Sequence, residues 1–102
     1  MSHLIQLLLP LYGNDQKVFP CELHETVKAE LMKKFGGLTT YSRSPAEGIW
    51  KDFEGDVKDE IIVYEVMVPE LDADWWSQYR RILEKRFSQV EVIIRALPMN
   101  RL

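Results

Sequence analysis

Residues 60–68 read EIIVYEVMV, and this stretch decides the fold. It is dense in β-branched and aromatic residues, it closes at Pro69, and it is too short for a soluble helix. It therefore reads as a strand. Alternation sorts its side chains into two sets. Ile62, Tyr64, Val66 and Val68 form one; Ile61, Val63, Glu65 and Met67 form the other. A lone carboxylate in a core is costly, so the set containing Glu65 is expected on an open face and the Tyr64 set beneath helices.

The elements on either side complete the pattern. Upstream, LIQLLL (4–9) reads as a buried strand ending at Pro10, and LYGNDQKVFP is dense in turn formers and reads as loop. Pro20 suits a helix start. In the segment that follows, Leu23, Val27, Leu31 and Phe35 recur every four residues with Met32 beside them, an apolar helical stripe. Acidic residues near its start and Lys33 and Lys34 near its end complement the helix dipole. Gly36 and Gly37 stop it, since glycine enters the left-handed cap conformation at little cost. LTTYSR (38–43) reads as a second strand, broken by Pro45 and Gly48. GIWKDFEGDVKDE reads as a β-hairpin extension with EGD as its turn. Downstream of Pro69, Asp72 is expected to cap a helix whose face carries Trp76, Tyr79, Leu83 and Phe87, and VEVIIRAL is expected to be a last strand ending at Pro98.

The order strand, helix, strand, strand, helix, strand predicts an α+β, ferredoxin-like βαββαβ sandwich. It is one domain over residues 1–102, with an antiparallel four-stranded sheet in the order 4-1-3-2 and two helices on one face. Two helices cover one side of such a sheet. The same alternation sends Leu4, Gln6 and Leu8 outward from the first strand and Ile5, Leu7 and Leu9 inward. In the last strand it sends Glu91, Ile93, Arg95 and Leu97 outward and Val90, Val92, Ile94 and Ala96 inward. The uncovered face is thus mostly apolar, with Gln6, Glu65, Arg95 and Arg43 set into it. A solvated sheet face is more polar than this, and an apolar patch usually meets something. The simplest partner is a second copy about a two-fold axis.

In element order and in the open-face pattern of LIQLLL, EIIVYEVMV and VEVIIRAL, the chain resembles the dimeric α+β barrels, in which two ferredoxin-like subunits pack sheet to sheet. FGGLTTYSR, GIWKD and WWSQYRRILEKRF are similar to stretches of small uncharacterised bacterial proteins. The barrel group includes small oxygenases, isomerases, heme-handling proteins and ligand-sensing modules. The resemblance implies a homodimer and carries over no catalytic residue.

The chain of 102 residues suffices for one core at 46% hydrophobic residues. A net charge of −3 without a basic run argues against nucleic-acid binding. No apolar run is long enough to cross a bilayer, and the N-terminal stretch lacks the basic leader of a secretory signal. One cysteine makes no internal disulfide, so a cytoplasmic setting is expected.

The candidate site residues are Gln6, Tyr41, Arg43, Trp50, Glu65 and Arg95, polar or aromatic groups expected around the open face. They suit either a subunit interface or a pocket for a small apolar ligand. The interface is the preferred reading, because it needs no ligand and no cavity. In the enzymatic alternative, a cofactor-independent oxygenase or isomerase acts on an apolar or aromatic carbonyl compound. Tyr41 and Arg43 then orient the substrate and Glu65 accepts a proton. A third reading has the open face meet a different protein. Cys21 and His24, three apart at a helix start, could share a face as thiolate and base; the plainer expectation is a partly buried cysteine beside a surface histidine. Asp52, Glu54, Asp56, Asp59 and Glu60 cluster, but Val57 and Val63 stand where a calcium loop needs glycine and glutamate. Trp75, Trp76 and Tyr79 are expected as core aromatics with Trp76 the more buried, and Arg80 as a partner for an indole ring. No cofactor is expected, heme least of all, since neither histidine is read into a strand.

Overall fold

The structure, a computed structural model, describes residues 2–43 and 60–102. The elements run β1 (His3–Pro10), α1 (Cys21–Phe35), β2 (Thr39–Arg43), β3 (Ile61–Val68), α2 (Ala73–Arg86) and β4 (Ile93–Pro98). The four strands form one antiparallel sheet in the order β2-β3-β1-β4, the expected order read from the other edge. The hairpin extension lies outside the described residues.

Strand ends follow from which backbone groups have partners. Pro10 belongs to β1, opposite Ile61, although it was expected to end it. Pairing of β1 with β4 stops at Leu8, so the missing N–H of Pro10 falls where β4 offers no acceptor. His3 also joins β1, opposite Val68 and Pro98, which corrects the reading that neither histidine lies in a strand. At the other end of the chain, β4 starts only at Ile93. Ser88 takes a positive φ of 52°, the N–H of Gln89 donates to the Glu84 carbonyl, and the N–H of Val92 donates to the Glu84 carboxylate at 3.1 Å. These donors are spent on a turn. Val90, expected inward, is therefore fully exposed, while Val92 is buried as expected.

Both helices lie on the same side of the sheet. Val27 and Leu31 of α1 and Trp76, Tyr79 and Leu83 of α2 share one core with Ile5, Leu7, Leu9, Tyr64, Val66 and Val68. Phe87, just past α2, joins them. The helix limits obey local chemistry. Asp72 caps α2, its carboxylate accepting from the Trp75 N–H at 3.1 Å. Gly36 takes φ 77° and donates to the Met32 carbonyl, closing α1 with the left-handed cap that favours glycine. Met32, expected beside the apolar stripe, is exposed. Trp76 is more buried than Trp75 and stacks on Phe35, with centroids 5.2 Å apart. Arg80 pairs with Glu84 at 3.4 Å, and the cation over an indole is Lys34, 4.6 Å from the Trp75 ring centre. A second tie joins the helices: Arg86 grips the Glu30 carboxylate with two nitrogens, at 2.7 and 3.1 Å, and the Tyr79 hydroxyl donates to the same carboxylate.

Candidate functional site

Strand register lays out the uncovered face in rows. Leu4 stands between Met67 and Leu97; Gln6 between Glu65 and Arg95; Leu8 between Val63 and Ile93. On the far strand, Thr39 extends the Gln6 row and Tyr41 the Leu8 row. The predicted division of side chains therefore holds along β1, β3 and β4 from Ile93 onward, and Glu65 lies on the side away from the helices. Met67 is 56% exposed, Ile93 50%, Leu97 42% and Tyr41 41%, so large apolar groups flank the polar row on both sides.

That polar row is one connected network. Arg95 donates from Nε to Gln6 Oε1 at 2.7 Å, and Gln6 donates from Nε2 to Glu65 Oε2 at 2.7 Å. Tyr41 donates its hydroxyl to the same carboxylate oxygen at 3.1 Å. Gln6 suits the middle because an amide both donates and accepts, so it connects a cation on one side to an anion on the other. Four of the six expected residues, Gln6, Tyr41, Glu65 and Arg95, are thus joined by hydrogen bonds across all four strands. Arg43 ends β2 opposite Ile61. Trp50 lies outside the described residues, as do Asp52, Glu54, Asp56 and Asp59 of the acidic cluster.

The opposite side of the sheet holds a feature that sequence reasoning placed wrongly. His24 is 8% exposed, whereas Cys21 is exposed, the reverse of the plainer expectation for this pair. His24 Nε2 lies 3.1 Å from the Pro10 carbonyl, and Nδ1 bonds the Tyr64 hydroxyl. A carbonyl only accepts, so Nε2 carries the hydrogen. In the neutral ring Nδ1 is then the acceptor, and Tyr64 donates to it. Burial depresses the basicity of His24, the Pro10 carbonyl opposing this, and burial likewise raises the pKa of Tyr64. Phe87 packs edge-on against the imidazole at 5.1 Å. The pair is a satisfied polar contact within the core. The signal for it was in the spacing: His24, Val27 and Leu31 stand three and four apart, as good a helical stripe as the one beginning at Leu23.

Beside this pair opens a cleft of about 670 Å³. It lies between the start of α1, the loop that precedes it, and the helix-facing side of β2 and β3. Leu11, Val18, Phe19 and Ile62 supply apolar wall; Cys21, Thr40 and Ser42 supply polar groups. The preceding loop is held as a small antiparallel excursion. Tyr12 bridges to Val18, and the Phe19 N–H donates to the Leu11 carbonyl. Phe19 is anchored edge-on against Phe87 at 5.2 Å. Among the described residues, no three His, Cys, Asp or Glu side chains converge as a metal site would require, and no helix is long and apolar enough to cross a membrane.

Comparison with family models, curated proteins and solved structures gives no match for this chain. Function is therefore argued from the two faces of the sheet alone.

Proposed function

We propose that the chain is a homodimeric interaction module of the dimeric α+β barrel kind, with the uncovered sheet face as its subunit interface. The observation that carries this is the composition of that face: Met67 and Leu97 on one side and Tyr41 and Ile93 on the other, all exposed, flank a polar row joined by hydrogen bonds, while Val63 between Tyr41 and Leu8 is already buried. Strands of 8, 5, 8 and 6 residues, rising about 3.3 Å per residue and lying about 4.8 Å apart, cover roughly 430 Å² in projection. Side-chain relief raises the accessible area toward the ~800 Å² per partner of a specific interface.

The polar row favours a second copy over an unrelated protein. Its charges are opposite and lie two strands apart, Glu65 on β3 and Arg95 on β4. A two-fold axis through the Gln6 row would set Arg95 of one subunit against the partner's Glu65, and the reverse. The patch is thus complementary to itself, as an isologous contact requires. The lone cysteine is exposed, which suits the reducing cytoplasm, where we place the protein.

Light scattering on a sizing column tests the pairing. The expected mass is twice the 12.0 kDa of the chain. Glu65→Arg and Arg95→Glu should each give monomers, because each sets like charges opposite one another. Mixing the two variants should give a heterodimer, because every crossing pair is then of opposite sign. A wild-type monomer at micromolar concentration sinks the proposal, and so does a mixture that stays monomeric while both variants remain folded.

A further inference from the structure

We infer that the cleft between α1 and β2 binds a neutral, largely apolar small molecule whose polar end rests on the hydroxyls of Thr40 and Ser42. This inference concerns the helix side of the sheet and does not depend on the pairing of subunits.

The cleft exists because two helices do not cover four strands. α1 packs mainly on β3 and α2 on β4, so among the described residues no helix packs closely on the helix-facing side of β2. Thr40 and Ser42 are accordingly exposed, whereas the helix-facing residues of β1 and β3 in the middle of the sheet are buried. The volume of about 670 Å³ falls within the roughly 300–1,000 Å³ typical of small-molecule sites. Its make-up fits too: apolar walls from Leu11, Val18, Phe19 and Ile62, with polar groups on both α1 and β2. Val18, at the mouth, is 58% exposed despite its apolar side chain. Covering it is a gain available to an apolar ligand.

The electrostatics of the lining select the charge of the ligand. Glu25 and Lys28 both border the cleft, and they face each other at 3.3 Å, so each is compensated. His24 is neutral and spends both ring nitrogens on Tyr64 and Pro10. Among the described residues, an anion or a cation entering here would lose its water without meeting an uncompensated opposite charge, which is costly. A neutral ring system with a hydroxyl or carbonyl meets no such cost, and the edge-strand hydroxyls both donate and accept.

Cys21 is the only cysteine of the chain, is exposed and lines the cleft, so its alkylation by iodoacetamide reports occupancy. The probe is N-phenylnaphthylamine, neutral and fluorescent in apolar surroundings, set against its sulfonated analogue anilinonaphthalene sulfonate. The neutral dye should bind and slow alkylation of Cys21, and the sulfonate should bind at least about tenfold more weakly. Thr40→Trp, which fills the cleft, should weaken the neutral dye by a similar factor. Ser42→Trp does the same from the next helix-facing position, should the first variant fail to fold. Leu97→Glu, on the far face, should leave dye affinity unchanged. Equal or tighter binding of the sulfonate, unprotected Cys21, or dye binding lost in Leu97→Glu but kept in a folded Trp variant would each overturn the assignment.

Discussion

Replacing Tyr64 by Phe isolates the buried contact beside the cleft. The substitution keeps the ring, which is fully buried, and removes only the hydroxyl that donates to His24 Nδ1. Nδ1 then lies in the core with no donor. Stranding a buried acceptor costs about 1–3 kcal/mol, more than the ~1 kcal/mol that a typical hydrogen bond contributes. In a domain of this size each kcal/mol lowers Tm by about 4–8 °C, so the expected fall is about 5–20 °C. Tyr79→Phe is the internal control. Its hydroxyl donates to Glu30, which keeps Arg86 and reaches solvent, so its loss should cost less than about 1 kcal/mol. His24→Leu and the Tyr64→Phe/His24→Leu pair complete a double-mutant cycle. The Pro10 carbonyl loses its donor in both His24 variants and cancels. The pair should be less destabilised than the sum of the singles, with a coupling of about 0.5–3 kcal/mol. Circular dichroism melts at one fixed protein concentration measure all four. Additive losses, or a Tyr64→Phe variant within about 0.5 kcal/mol of wild type, would refute the contact as an energetic element.

Three further outcomes are expected. His24 is held neutral in the fold, so below its unfolded pKa of about 6.5 the unfolded chain takes up a proton that the native chain resists; stability should fall with falling pH by at most ~1.4 kcal/mol per unit. The difference between wild-type and His24→Leu denaturation curves from neutral to mildly acid pH isolates this slope, and identical slopes would contradict it. Glu30→Gln unfastens α1 from α2 at a part-exposed, two-pronged ion pair. It should cost no more than about 1 kcal/mol, less in high salt, and the paired carboxylate's stabilisation should vanish as acid protonates it, by thermal melts across salt and pH. Asp72→Ala should lose about 1 kcal/mol by stripping the α2 cap, while Asp72→Asn should retain most of it; equal losses in chemical denaturation would argue against the cap.

The frame was legible because it rests on period and punctuation. β3 carries one carboxylate in an otherwise apolar run that stops before Pro69, so its two faces could be sorted before any partner strand was known. Gly36 and Asp72 mark helix ends by local chemistry that tertiary packing does not override. What the sequence could not show was lateral alignment. Gln6, Glu65 and Arg95 were each assigned outward, but that they stand side by side is set by the β1–β3 and β1–β4 registers, which no single strand encodes. His24 was misplaced for a different reason. Polar residues default to the surface, and a buried histidine becomes acceptable only once a donor and an acceptor from distant parts of the chain reach it. Tyr64 and the Pro10 carbonyl, 40 and 14 residues away, supply them. A tyrosine assigned to the core asks for a polar partner, and that requirement was the available clue. Val90 failed because alternation was extended past the point where Glu84 withdraws backbone donors from the ladder.

The two candidate surfaces meet at one strand. On β2, Tyr41 turns its hydroxyl to Glu65 and also borders the cleft, whose wall continues through Thr40 and Ser42. Among the described residues β2 is an edge strand, paired with β3 alone and without a closely packed helix. Its short pairing with β3 and the Tyr41–Glu65 bond therefore fix the position of the cleft wall. A second copy seated on the open face would shield that bond from water, while the β2–β3 register that places Thr40 and Ser42 is a property of the single chain.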